Sequence, residues 1–261
     1  MTEATTYETI LVERRGRVEW ITLNKPERKN PLGAQMVNEL LYALDAAKED
    51  DGVRVIVLTG AGNAFSAGAD LKQFGQDGGS KLPLKGDFPD LLLRFRELGK
   101  PTVARVPGIA MGGGLGIVCA CDFAVGCESA VLSTPEIKRG LFPFMIMAVM
   151  AKVVPRRRLL SMMLLGEKLG AHEALEAGLL THVVPDDQLD AKVEEITSAL
   201  AAQSPTAMRM GLLAFHRMSE QKLAEALPEL QRDLMAALGT EDAKEGLLAF
   251  MQKREPNWTG R

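Results

Sequence analysis

The chain has 261 residues, of which 46% are hydrophobic and 25% are charged, and its formal net charge is −3. This is the composition of an ordinary globular protein, and the charge gives no basic field of the kind that binds nucleic acid. The longest apolar run, residues 141–151, is too short to span a bilayer. Because the first seven residues are polar and the cysteines are odd in number, we expect a cytoplasmic protein without a signal peptide.

Hydrophobic periodicity predicts strands that alternate with helices in the first half of the chain. The predicted strands are a hairpin at residues 9–14 and 18–23 around Arg15 and Gly16, a buried strand at 53–58, a strand at 102–106, and short strands at 123–127 and 130–132. The predicted helices cover residues 33–49 and 88–98. Residues 73–87 are rich in glycine and are predicted to form a loop. Repeated units of this kind indicate an α/β core.

Helices predominate from residue 142 onward. Helical periods cover residues 186–203, 205–218, 220–238 and 241–254. Near residue 200 the composition shifts toward Ala, Leu, Met, Lys and Glu. We therefore predict an α/β core over residues 1–200 and an all-helical region over residues 201–261.

Two glycine-rich turns each follow a predicted strand, at residues 59–72 and 107–116. In the second turn, three consecutive glycines at 112–114 precede an apolar helix, which leaves backbone amides free at the helix N-terminus. Neither phosphate-binding spacing is present. A developing oxyanion is therefore the better candidate ligand, and the alternative is a turn that needs glycine only for close packing.

Cysteines and histidines are predicted to be structural. Cys119, Cys121 and Cys127 lie among apolar residues, lack a second pair of metal ligands, and are expected to pack in the core, so no metal site is predicted. The three histidines lie away from the glycine-rich turns. Ser66 precedes one turn, but no Ser-His-Asp arrangement accompanies it.

The motifs of the two turns resemble those of the crotonase family, also called the enoyl-CoA hydratase/isomerase family. The resemblance rests on residues 65–72 (FSAGADLK) and 108–114 (GIAMGGG), and extends through Asn24-Lys25-Pro26, Thr134-Pro135-Glu136 and the last helix to cover nearly the whole chain. It implies a crotonase-like spiral of ββα units, followed by C-terminal helices that assemble trimers, often paired into hexamers. It also implies an acyl-CoA thioester substrate, no separate cofactor, and an enzyme of the lyase or isomerase type, typical of fatty acid metabolism.

The resemblance also implies which residues bind the substrate. The amides of Ala69 and Gly113 correspond to the oxyanion hole, which holds the thioester oxygen as it gains enolate character. Segment 69–72 resembles the part that lies along coenzyme A. The expected coenzyme A contacts, including candidates for its phosphates, are Lys25, Arg28, Ala67, Asp70, Leu71, Lys72 and Lys253; for the cations among them, the alternative is an ordinary solvated surface.

One of the two glutamates used by the family's hydratases is absent. Its position is occupied by Gly116, whereas the second is present as Glu136. A single carboxyl group can take a proton from one carbon and return it two carbons along, so Glu136 alone favours double-bond isomerisation over two-carboxylate hydration. Hydration or dehydration stays open, because water or another side chain could substitute.

Two further readings stay open. The segment Gly140-Leu141-Phe142-Pro143 is similar to that of 3-hydroxyacyl-CoA thioester hydrolases, but Phe144 stands where those enzymes have an aspartate. A catalytically silent acyl-CoA-binding scaffold is the other alternative.

The methionine-rich segment after Glu136 is expected to form an adaptable acyl pocket through Phe144, Met145 and Met147, the alternative being an ordinary buried helix.

Overall fold

The computed structural model describes residues 6–70 and 81–261. The strands are β1 (Ile10–Arg15), β2 (Val18–Leu23), β3 (Val55–Gly60), β4 (Ala64–Ser66), β5 (Thr102–Val106), β6 (Ile109–Met111), β7 (Phe123–Cys127), β8 (Val131–Ser133), β9 (Lys168–Gly170) and β10 (His182–Val184). The helices are α1 (Ala34–Glu49), α2 (Phe88–Arg94), α3 (Gly113–Ala120), α4 (Phe144–Met150), α5 (Arg156–Leu165), α6 (Ala171–Glu176), α7 (Leu189–Ala201), α8 (Pro205–Met218), α9 (Leu223–Leu238) and α10 (Glu241–Gln252).

A six-stranded sheet forms the centre of the fold, in the order β1-β2-β3-β5-β7-β10. The predicted hairpin is confirmed: β1 pairs antiparallel with β2, and the turn is made by Gly16 and Arg17. The remaining strands run parallel, with Val57 opposite Val103. Every residue of β3 is buried, as its unbroken apolar run predicts for a parallel strand covered on both faces.

A second, four-stranded sheet in the order β4-β6-β8-β9 was not predicted. Each of its strands has only three residues, and β4 and β6 lie inside the two glycine-rich turns. After β3 the chain enters this sheet through β4, and after β5 it does so through β6 before α3 begins. The strand–strand–helix unit therefore repeats, and the carboxyl ends of β4 and β6 lie side by side because the two strands are parallel.

Several predicted helix boundaries are corrected by the structure. The helix predicted at 88–98 ends as an α-helix at Arg94 and continues as a 3-10 turn, Phe95–Glu97. The helix predicted at 186–203 likewise begins with a 3-10 turn, Asp186–Gln188, before α7. Most of the predicted loop at 73–87 lies outside the described residues.

The last three helices form the C-terminal part of the chain, as the periodicity predicts; the domain boundary near residue 200 stays a prediction. Ser204 caps α8 through the amide of Ala207 and also donates to the buried carboxylate of Asp242 at 2.7 Å. Both α9 and α10 present large apolar side chains that are at least half exposed. These residues are Leu223, Leu227, Leu234, Met235, Leu238, Leu247, Phe250 and Met251.

The cysteines pack as predicted for small apolar residues. Cys119 and Cys127 are buried, and burial raises the pKa of the Cys119 thiol to about 12. In residues 6–70 and 81–261, no three His, Cys, Asp or Glu side chains lie close enough together to hold a metal ion. Across these same ranges, each helix is too short or too polar to cross a membrane.

Candidate active site

The two glycine-rich turns meet backbone to backbone beside the second sheet. Gly68 and Gly112 have φ angles of +90° and +50°, which side-chain-bearing residues rarely adopt. A Cβ atom on Gly68 would lie 2.8 Å from the carbonyl oxygen of Met111, and a Cβ atom on Gly112 would lie 2.7 Å from Oε1 of Glu136. Glycine at both positions therefore lets the turns touch each other and the carboxyl group.

In these two turns, the amides of Ala69 and Gly113 directly follow Gly68 and Gly112. Leu32 forms a bridge to the first turn: its amide donates to the oxygen of Gly68 at 2.8 Å, and its oxygen accepts the amide of Asp70 at 2.9 Å. The intervening amide of Ala69 is not used by this bridge. Gly113 is the first residue of α3, where an amide has no acceptor within its own helix. Within the described part of the chain, neither amide has a hydrogen-bond acceptor.

Both residues line a cavity of about 1010 Å³. Its walls come from the loop before α1 and the first turn of α1, from the two glycine-rich turns, from the start of α2, and from the segment that runs from the end of β8 into α4. Ala69, Gly113 and Glu136 belong to motifs far apart along the chain, and the structure brings all three to this one cavity.

Glu136 lies in a 3-10 helix, Pro135–Arg139, directly after β8. The residue is partly buried, and burial raises the pKa of its carboxyl group. Oxygen Oε2 is buried and has no hydrogen-bond partner in the described residues. A buried oxygen without a partner carries an energetic cost, and such exceptions call for an explanation such as a catalytic role.

Position 116 faces an apolar wall. A Cβ atom on Gly116 would lie 2.4 Å from Cγ2 of Ile146 and 3.6 Å from Cζ of Phe88. Ile146 and Phe88 both line the cavity. Neither residue was predicted from the sequence, because their contact with position 116 depends on packing between helices that are distant along the chain. The amphipathic pattern around Phe88 was the only available signal.

The residues expected to bind coenzyme A are placed unevenly. Ala67, Arg28 and Asp70 line the cavity. Arg28 donates to Asp70 at 2.7 Å, and only 4% of the Asp70 side chain is exposed, so part of the Arg28 charge is already balanced within the protein. Lys25 lines a smaller neighbouring cavity of about 220 Å³, to which Arg28 and Asp70 also contribute.

Three coenzyme A candidates remain, namely Leu71, Lys72 and Lys253. Lys253 is exposed at the C-terminal end of α10 and lines neither of the two cavities. Leu71 and Lys72 lie outside the described residues. Their predicted contacts with coenzyme A therefore stay predictions.

The predicted acyl pocket is partly corrected. Phe144 and Met145 line the cavity and are 68% and 51% exposed. Met147 does not line it and instead packs against the core. The reason is the helical period of α4: Ile146 and Met150, four residues apart, form its buried face, and Met147 lies beside that face. Ile146 lines the cavity in place of Met147.

Ser66 has a structural role. Its hydroxyl is fully buried, donates to the oxygen of Asn30 at 2.7 Å, and accepts the amide of Gly68 at 3.1 Å. These bonds hold the first turn against the loop that precedes α1. The Ser66 hydroxyl is therefore engaged within the protein.

The chain is similar in sequence to known proteins over nearly its whole length. The sequence pattern of the family described as enoyl-CoA hydratase/isomerase matches residues 13–261. A probable enoyl-CoA hydratase of Mycobacterium bovis is 35% identical over 257 residues, covering 98% of this chain and 100% of the relative. A probable enoyl-CoA hydratase of Rhizobium meliloti is 36% identical over 260 residues, covering 98% of this chain and 99% of that protein.

Solved structures give the same result. An enoyl-CoA hydratase of Mycobacterium smegmatis superimposes with a TM-score of 0.90 at 32% identity, covering 96% of this chain and 99% of that one. The human enoyl coenzyme A hydratase domain-containing protein 3 superimposes with a TM-score of 0.89 at 28% identity, covering 96% of this chain and 100% of that one. These matches confirm the predicted crotonase-like α/β fold. The chain therefore belongs to the enoyl-CoA hydratase/isomerase family of acyl-CoA enzymes.

Proposed function

We propose that the protein transfers a proton on an enoyl-CoA thioester through an enolate, with Glu136 as the single acid/base. The observation that supports this most strongly concerns residues 6–70 and 81–261. Among them, Oε2 of Glu136 has no hydrogen-bond partner, and it lies on the cavity that also holds the two amides without acceptors. In this proposal the amides of Ala69 and Gly113 donate to the thioester oxygen. One such preorganised donor can be worth about 3–4 kcal/mol in the transition state.

Double-bond isomerisation is the reaction that a single carboxyl group performs most directly. The Glu136 carboxylate removes a proton from C2 of a 3-enoyl thioester, and the electron pair of that C–H bond delocalises onto the thioester oxygen. The protonated carboxyl group then returns the proton to C4, and the double bond moves from C3–C4 to C2–C3. Atoms and charge balance without a water or a separate cofactor.

The pKa of Glu136 suits this role. Because burial raises it, the carboxylate is a stronger base than an exposed one, and its conjugate acid is less costly to form during the reaction. Oε1 lies close to Gly112, which precedes the Gly113 amide in the chain. A carboxyl group near the proposed oxyanion donors is near the carbons next to the thioester carbonyl.

Hydration or dehydration is the second candidate, because relatives of this chain carry the name enoyl-CoA hydratase. It would use the same enolate and the same acid/base. Thioester hydrolysis has less support, since Phe144 stands at the position of the hydrolases' aspartate, and its ring packs against Phe142 with centroids 5.4 Å apart.

Homo-oligomers, expected as trimers or hexamers, are part of the proposal. The apolar side chains exposed on α9 and α10 form a surface that a second copy of the chain could cover. The proposed substrate is an acyl-CoA, with neither nucleic acid nor membrane as a partner, and a cytoplasmic location stays an expectation.

Turnover measurements on 3-enoyl-CoA and 2-enoyl-CoA test the proposal. We expect Glu136→Gln to lower turnover by about 10²- to 10⁴-fold while calorimetry shows unchanged binding of the thioester. Glu128→Gln, at an exposed glutamate on the turn after β7, is the matched control and should behave as wild type. If both thioesters bind and neither is turned over by the wild type, the silent scaffold replaces the proposed enzyme.

A further inference from the structure

Ile146 occupies the space in front of position 116. It is only 3% exposed, and its Cγ2 and Cβ atoms would lie 2.4 and 3.0 Å from a Cβ atom on residue 116. The Cβ atom of isoleucine carries two branches and has restricted χ1 freedom, so this side chain cannot swing aside as a long flexible one would. Helices α3 and α4 therefore pack closely against each other at Gly116, and a larger residue at this position would push the two helices apart.

The same side chain forms part of the cavity wall. Ile146 and Phe88 both line the cavity and both face position 116. A carboxyl group carried by residue 116 could reach the cavity only through the space that these two side chains fill. The wall at this point consequently consists of hydrocarbon.

Other acids on the cavity wall are already engaged. Asp70 pairs with Arg28. Asp87 caps α2, accepting the amide of Asp90, while its own amide donates to the Asp90 carboxylate. Among the lining acids in residues 6–70 and 81–261, Glu136 is the one with a buried oxygen that lacks a partner.

We infer that Ile146 is a specificity-determining residue that selects isomerisation over hydration. This inference rests on the proposed enolate chemistry and concerns which product that enolate gives. Hydration adds the oxygen of a water to C3 and a proton to C2, so the water must be held by two or more polar groups. Hydrocarbon at Ile146 and Phe88 supplies none, whereas isomerisation needs only the proton that Glu136 carries.

The test compares two reactions in one set of variants. Isomerisation of 3-enoyl-CoA and hydration of 2-enoyl-CoA of the same chain length are measured for the wild type and for Ile146→Ala. We expect Ile146→Ala to raise the ratio of hydration to isomerisation by at least about tenfold, because the vacated volume opens the hydrocarbon wall to a water. Ile196→Ala on α7 removes the same atoms outside the cavity and should leave the ratio unchanged.

A second measurement tests the steric contact without relying on activity. Gly116→Ala should lower the melting temperature, and the double variant Gly116→Ala/Ile146→Ala should recover part of that loss relative to the two single variants. Gly116→Glu/Ile146→Gly should fold and show the highest ratio of hydration to isomerisation in the set.

The outcomes separate this inference from the proposed function. If the wild type turns over neither thioester, the proposed function fails. If the wild type isomerises but Ile146→Ala leaves both the ratio and the effect of Gly116→Ala unchanged, only the inference about Ile146 is overturned. The inference also fails, with the enolate chemistry intact, if the wild type hydrates as fast as it isomerises.

Discussion

Replacing Gly112 with alanine should damage activity by more than its effect on stability explains. The residue has φ +50° and ψ −124°, a conformation close to glycine-only. Holding alanine there costs about 1–3 kcal/mol of stability. The added Cβ atom would lie 2.7 Å from Oε1 of Glu136, whereas ordinary contact begins at 3.4 Å, so the carboxyl oxygen must retreat by about 0.7 Å.

The size of the activity loss follows from this displacement. A misplacement of about 1 Å can cost a reaction about 10²-fold. We therefore expect kcat/KM of Gly112→Ala to fall by about ten- to hundredfold, beside the loss in unfolding free energy. Gly16→Ala is the matched control: Gly16 has φ +60° with no atom within 4 Å of an added Cβ, and it lies in the hairpin turn far from the cavity. It should lose about 1–2 kcal/mol and keep full activity.

Denaturant titrations give the two stabilities, and steady-state kinetics on the thioester that the wild type turns over give kcat/KM. The reasoning is refuted if Gly112→Ala is destabilised as much as Gly16→Ala but retains wild-type kcat/KM. In that case the contact between residue 112 and the Glu136 carboxyl group would have no bearing on catalysis.

Three other predictions concern pH, stability and assembly. Because burial raises the pKa of Glu136, kcat/KM should fall as the pH drops through a midpoint above that of an exposed carboxyl group, as a pH–rate profile would reveal; a midpoint in the ordinary carboxyl range would contradict it. Burial alone would raise the pKa of Asp242, but the hydrogen bonds from Ser204 and from the amides of Thr259 and Gly260 outweigh it and lower that pKa to about 2. The ionised group therefore stabilises the fold above about pH 4, by about 2 kcal/mol that is lost as the pH falls from about 4 to 2. Urea titrations at several pH values should show this loss in the wild type and not in Asp242→Asn. An equal pH dependence of the unfolding free energy in both proteins would contradict the prediction. Phe250→Asp, at a side chain that is 84% exposed on α10, should reduce the mass measured by light scattering to that of a smaller species, and an unchanged mass would exclude this face from the interface.

Sequence periodicity was sufficient for the long elements. The helices α1 and α8 begin and end within one residue of the predicted positions, because each has a continuous apolar stripe and a clear stop signal. In the second sheet only β8 was predicted, at residues 130–132, since strands of three residues are too short to show measurable alternation. Such short strands form because neighbouring strands are brought to them by the rest of the fold.

In the candidate site, too, features carried by local sequence could be predicted and features that depend on long-range packing could not. Ala69, Gly113 and Glu136 could be named from local motifs, since each lies in a distinctive stretch of sequence. Ile146 could not, because its importance arises only where α4 packs on α3. The apolar wall is formed by residues that are distant along the chain. The methionine-rich sequence suggested Met147 as a lining residue, but Met147 packs against the core.

The origin of the cavity walls has a consequence for engineering. The two amides belong to turns fixed by backbone contacts between Gly68 and Gly112, while the apolar wall belongs to α4. In the proposed mechanism, oxyanion stabilisation and the choice of product are thus encoded in separate segments of the polypeptide. Libraries confined to residues 144–150 should alter which thioesters react, and what they become, while sparing the apparatus that generates the enolate.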